Sequence, residues 1–164
     1  MNTSIGGAMN TYCQSAFNQI NVAITTIIKI MDKLEEGDLQ KRPSPNKNSI
    51  GELLQHIVTI CKADFLIANG ASQDEMNTFY AKISYKNLSE MKKALLENFR
   101  SLEECYFPYS EEDLQQKVTS YWGVTYTKYE WLLEILAHVY HHRGQLHAML
   151  VHCYRKDPDI AMFE

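Results

Sequence analysis

Glycine and proline are scarce in this chain, seven and four among 164 residues, and strand-length alternation of apolar and polar residues is hard to find. Both shortages count against a β architecture, which spends turn residues at every reversal. There is no CxxC pair. Cys13, Cys61, Cys105 and Cys153 lie far apart, which argues against a disulfide framework and a four-cysteine metal site. Each falls in a stretch read below as helical, where a small buried thiol is the expected role. No apolar run reaches the roughly eighteen residues of a spanning helix. Met1–Asn10 has neither a cationic start nor an apolar core, so no secretion signal is expected there. A formal charge of −4 without a basic patch speaks against a nucleic-acid or acidic-membrane partner. A cytosolic location is the expectation that follows.

What is present is helical periodicity on a scale suited to one domain over residues 1–164, with a core that needs no covalent staples. A first helix is expected from about Asn10 to Leu34, with Phe17, Ile20, Ala23/Ile24, Ile27/Ile28 and Met31 on one face and Gly37 available as a left-handed cap. The polar connection Asp38–Asn48 contains Arg42-Pro43-Ser44-Pro45, which cannot continue a helix. Ser49-Ile50-Gly51-Glu52 has the form of a capping box and opens a second helix to about Asn69-Gly70, with Leu53, His56/Ile57, Ile60/Cys61 and Asp64 inward. Asn87-Leu88-Ser89-Glu90 opens a third, carrying Met91, Leu95, Phe99 and Leu102 to about Tyr106, closed by Pro108. Ser110–Leu114 reads as one short helical turn, and the aromatic and β-branched stretch Val118–Tyr126 as compatible with extended chain. Thr127-Lys128-Tyr129-Glu130 caps a final helix that runs to about Cys153. Four long helices of this kind pack as an all-α four-helix bundle.

Five of the six histidines fall between positions 138 and 152. Residues four apart on a helix differ by only about 40°, so His138 and His142 project together and can grip one ion. His141 is also within reach of His138 by spacing. His147 lies about 180° around from His138, and His152 about 21 Å further along the axis; these three are assigned to the surface or to outer contacts. A third ligand must come from another helix, and the only histidine elsewhere is His56, which interrupts the apolar stripe of the second helix. A lone histidine on an apolar face is more often a satisfied core residue, but the HxxxH pair changes that balance. Three neutral imidazoles with open positions, expected to face the bundle's end, make the arrangement of a catalytic metal, which activates water or holds a thiolate. The HExxH protease motif is absent, because Val139 follows His138. Glu134, one turn earlier, is a candidate base or outer hydrogen-bond acceptor, with a plain helix-surface carboxylate as the alternative. Gln145, one turn past His142, is a candidate to orient a ligand or line the site, with a helix–helix hydrogen bond as the alternative. Tyr121, Trp122 and Tyr126 are candidate pocket walls, with simple core packing as the alternative. Arg143 is read as a surface or interface ion-pair partner.

The run His138-x-x-His141-His142-Arg143-Gly144-Gln145-Leu146 resembles the closing motif of the DinB/YfiT-like superfamily. Leu39-x-x-Arg42-Pro43, Ser49-Ile50-Gly51-Glu52-Leu53-Leu54-Gln55-His56-Ile57 and the Trp122-Gly123 segment before a Thr-capped helix are similar to it as well. The resemblance implies a four-helix bundle with a divalent ion, usually nickel or zinc, on His56, His138 and His142. It further implies a homodimer and a small-molecule substrate. The activity implied is that of a metal-dependent enzyme, a transferase using a low-molecular-weight thiol or a hydrolase, with a non-catalytic metal- or ligand-binding bundle as the alternative.

Overall fold

The computed structural model describes residues 7–164; residues 1–6, part of the stretch in which no secretion signal is expected, lie outside the described residues. The chain folds into α1 (Thr11–Met31), α2 (Ile50–Ile67), a short α3 (Gln73–Ala81), α4 (Leu88–Tyr106), a one-turn α5 (Glu111–Leu114), a hairpin of β1 (Lys117–Thr119) and β2 (Thr125–Thr127), and α6 (Lys128–Ala148). A 3₁₀ turn (Glu36–Gln40) precedes α2, and a π-helical turn (Met149–Cys153) extends α6.

Side chains three residues apart set the starts of these helices. Asn10 Oδ1 accepts the Tyr12 and Cys13 amides at the head of α1. Ser49 and Glu52, and Thr127 and Glu130, satisfy each other's backbone amides as reciprocal boxes at α2 and α6. At α4 the box is only half made: Asn87 accepts the Glu90 amide, but the Glu90 carboxylate takes the Lys86 amide instead. α1 ends at Met31 through right-handed Asp32, so Gly37 is not its cap; Gly37 lies inside the 3₁₀ turn. α3 went unexpected although Ser72 and Glu75 form a full capping box, because its nine residues carry one buried apolar side chain, Met76, and show no stripe.

Packing makes a ring in which α1 touches α4 and α6, and α2 touches the same two helices, leaving α1 diagonal to α2. The apolar stripes meet inside: Phe17, Ile20, Ile24 and Ile27 from α1, Leu53 and Ile57 from α2, Leu95 and Phe99 from α4, Ile135 and Val139 from α6. Burying a side chain of this size contributes about 1.5–3 kcal/mol. A smaller cluster gathers Ala63, Ile67, Ala68, Met76 and Trp131 where α3 leans on α2 and α6. At Gly51 an added Cβ would meet Leu39 O at 3.0 Å and Leu39 Cβ at 3.2 Å, so glycine lets the 3₁₀ turn lie directly on α2. The turn is pinned by buried Asp38, which accepts the Glu35 amide and pairs with Lys41 at 2.6 Å and Lys156 at 2.5 Å.

Three local expectations change. Cys13 and Cys61 are buried as read, but Cys105 is only partly so and Cys153 is exposed. Arg143 is not at the surface: it is 4 % exposed and has no acidic partner among the described residues. Its Nη1 donates to Thr26 Oγ1 at 2.8 Å and to the Met162 carbonyl, while the rings of Tyr140 and Phe163 lie 4.5 and 4.9 Å from its guanidinium carbon. No helix among the described residues is long and apolar enough to cross a membrane.

Candidate metal centre

α2 and α6 run antiparallel, so a residue early in α2 faces one late in α6: His56 meets His142, and Asp64, two turns on, meets His138. The cluster therefore lies along the α2–α6 seam at mid-length of both helices, beside α3, and not at the bundle's end. His56 Nε2 stands 3.2 Å from His138 Nε2 and 3.1 Å from His142 Nε2. Imidazole nitrogens bound at about 2.0–2.1 Å to one ion are separated by roughly 2.8–3.0 Å in a facial octahedral set and roughly 3.3–3.4 Å in a tetrahedral one. Both separations from His56 fall between the two, and all three ligand atoms lie within 4.8 Å of one another, a grouping compatible with one divalent ion.

Proton accounting points the same way. His138 Nδ1–H donates to Asp64 Oδ2 at 2.7 Å, and His142 Nδ1–H donates to Gln145 Oε1 at 2.7 Å. Those bonds leave bare lone pairs on both Nε2 atoms. His56 has one proton at most to offer them while neutral. Burial, reinforced by His142 and His138, pulls its pKa down to about 4, so it stays neutral. Burial likewise lowers His142, whereas the hydrogen bond that His138 donates to Asp64 raises His138 against the desolvation. With His56 and His142 neutral, the cluster holds more acceptor nitrogens than donors, and a proton retained on His138 or a bound cation is what balances it.

Asp64 is the functional residue that sequence reasoning placed inward but gave no role. The available signal was an ionisable residue in an apolar stripe two turns from His56. Glu134, at 3.8 Å from His138 Nδ1, lies beside it. Burial and the charge of Asp64 push Glu134 above the usual carboxylate range. Asp64, Glu134 and His138 form a second group of potential ligand atoms, but His138 enters it through the nitrogen that already serves Asp64. His141 and His152 are exposed and, among the described residues, His147 reaches only Asp157, at 4.0 Å; none of the three offers a ligand atom to the cluster.

Two clefts flank the three imidazoles. One of about 190 Å³ is bounded by Glu52, Gln55, His56 and Thr59. The other, about 270 Å³, has Asp64, Glu134 and His138 on its floor and Tyr121, Trp122 and Trp131 in its wall. Tyr80 of α3 borders both. Of the three aromatic residues expected as walls, Tyr121 and Trp122 take that place, while Tyr126 packs on Trp131 at 4.9 Å. Tyr80 was missed with its helix.

The sequence profile of the DinB superfamily matches residues 19–146, a span that includes all three histidines. A candidate member of the DinB family from Exiguobacterium sibiricum 255-15 superposes with a TM-score of 0.83 at 28 % identity, covering 94 % of this chain and 99 % of its own. A DinB-like protein of Bacillus subtilis (TM-score 0.59, 20 % identity, 84 % of this chain and 87 % of its own) shares the fold. So does one of Bacillus cereus ATCC 10987 (0.62, 17 %, 84 % and 89 %). Comparison with curated proteins yields no match. The breadth of the profile match, together with the all-helical bundle, establishes that this chain belongs to the DinB superfamily.

Proposed function

We propose that the chain is a divalent-metal-dependent enzyme acting on a small molecule, with nickel or zinc held by His56, His138 and His142. The observation that carries this reading is the approach of His56 Nε2 to the Nε2 atoms of His138 and His142, at 3.2 and 3.1 Å, with those two rings already donating elsewhere. Among the described residues no fourth side chain joins the triad. A structural zinc is normally closed by four protein ligands, so a three-imidazole set favours a centre with exchangeable positions. A bound ion there would supply Lewis acidity, lowering the pKa of a coordinated water or of a low-molecular-weight thiol.

The chain's own groups have separable tasks. Asp64 and Gln145 orient the rings of His138 and His142 and keep each proton on Nδ1. Glu134, outside the ligand set and facing the larger cleft, is placed to accept the proton released by the thiol or water. Tyr80 and Trp122 border the space in which an electrophile meets that nucleophile.

Metal analysis of untagged protein tests the reading. One equivalent in the parent and none in His138→Ala or His142→Ala is expected. A parent that takes up neither zinc nor nickel when both are supplied would refute it. Metal-loaded protein screened against small thiols paired with electrophiles, and against hydrolysable esters and amides, then separates transferase from hydrolase.

A further inference from the structure

Resting on that reading, we infer that the substrate carries a cationic nitrogen flanked by apolar surface, which seats in the larger cleft between Trp122, Tyr121 and Tyr80 and the carboxylates of Asp64 and Glu134. Two independent properties of the cleft select the same ligand charge.

The first is its aromatic wall. Rings of this size normally supply core area, yet Tyr80, Tyr121 and Trp122 are 42, 45 and 52 % exposed, and all three border one concavity. They are held there by packing. Trp131 is buried, donates its indole N–H to Val118 O at 3.1 Å, and so anchors the hairpin to α6. Trp122 meets it edge-on at 6.2 Å, and Tyr121 meets Trp122 edge-on at 4.8 Å. Gly123, at φ +94°, makes the tight reversal that keeps the pair at the hairpin tip. Aromatic faces are electron-rich and attract ammonium and guanidinium groups, tryptophan most strongly.

The second is sign of charge. Asp64, Glu134 and His138 are the ionisable groups on the cleft floor, and no lysine or arginine lines it. The adjoining cleft is lined by no lysine or arginine either, and its one carboxylate, Glu52, is taken up by Arg42 at 2.8 Å and by the Ser49 amide. With a divalent ion on the three neutral imidazoles, the two carboxylates offset its charge locally. An anionic substrate finds no partner here, while a cation finds acceptors and ring faces together. Asp64 Oδ2 takes the His138 Nδ1–H at 2.7 Å, so a nitrogen seated at these carboxylates stands one imidazole ring away from the Nε2 cluster.

Benzyltrimethylammonium, benzyl alcohol and benzoate, titrated at pH 8 into zinc-loaded and metal-free full-length chain, test the inference through the Trp122 indole resonance and tryptophan fluorescence. The cation is expected to saturate the site about tenfold more tightly than the alcohol, with benzoate weakest. Trp122→Ala and Glu134→Gln are each expected to weaken the cation several-fold, and circular dichroism confirms that both variants fold. Benzoate or benzyl alcohol binding as tightly as the cation, or cation binding unchanged in Trp122→Ala, would overturn it. Zinc content read on the same samples separates the two ideas: zinc uptake without cation preference sinks the inference alone. Cation preference in a chain that takes no zinc leaves the cleft assignment standing and removes the metal reading.

Discussion

His142 and Arg143 are neighbours in sequence, yet, about 100° apart around α6, they face different helices and regions built on different principles. Toward α1, Arg143 is enclosed: Thr26 and the Met162 carbonyl accept from its Nη1, Tyr140 and Phe163 flank its plane, and its buried Nε lacks a partner among the described residues. Toward α2, His142 faces two other imidazoles beside open clefts, with fewer protons than acceptors. The first region is a polar group closed off by packing and serves stability. The second holds polarity that its neighbours leave incomplete, which is the condition for binding something else.

The largest expected effect breaks that comparison at its enclosed side. Arg143→Ala strands Thr26 and the tail carbonyl and releases Phe163, costing about 2–4 kcal/mol, or a melting-temperature drop of roughly 5–15 °C. Chemical and thermal denaturation measure it, and metal stoichiometry should be unaffected. His142→Ala should do the reverse, leaving metal-free stability within about 1 kcal/mol of the parent while abolishing metal uptake. Equal destabilisation by the two would erase the distinction.

The next effect sharpens the open side. Asp64 is buried and charged, and Asp64→Asn should weaken zinc binding about 10–100-fold. Gln145 is exposed and neutral, so Gln145→Ala should cost less, about tenfold or under. Competition against a chromophoric chelator ranks them, and the opposite order would show that the His142 ring is the one whose orientation matters.

The smallest effect concerns a second enclosed charge. Burial raises the pKa of Asp38, but the Glu35 amide, Lys156 and Lys41 outweigh that and bring it below the usual carboxylate range. A folded-state pKa depressed below the unfolded value of about 3.9 gives stability that is complete above about pH 5 and lost as pH falls toward the folded value. Asp38→Asn should therefore lower stability near neutrality and flatten the acid limb below about pH 4, read from denaturation midpoints across pH. An unchanged acid limb would mean the Asp38–Lys156 pair adds nothing.

Legibility followed the range of the interactions. The heads of α2, α4 and α6 were readable from Ser49, Asn87 and Thr127, whose partners lie within three residues. The same signal stood at Ser72 and Glu75 and was passed over, because α3 lies on the bundle with little apolar surface of its own. Arg143 misled because an arginine on a helix normally belongs to solvent; its burial depends on Thr26, 117 residues away, and on the tail at Met162. Asp64 hid for a like reason, since its partner His138 lies 74 residues on.

By itself the sequence determined what rests on rotation within a single segment: helices of a given length and inner face, and the pairing of His138 with His142 one turn apart. Only the tertiary structure decided which inner faces meet. The antiparallel seam of α2 and α6 brings His56 and Asp64 to that pair, and the hairpin and α3 close aromatic rings over it. Helical periodicity is a property of neighbouring residues, whereas the docking of two helices about 80 residues apart is settled by side-chain packing summed over the whole core.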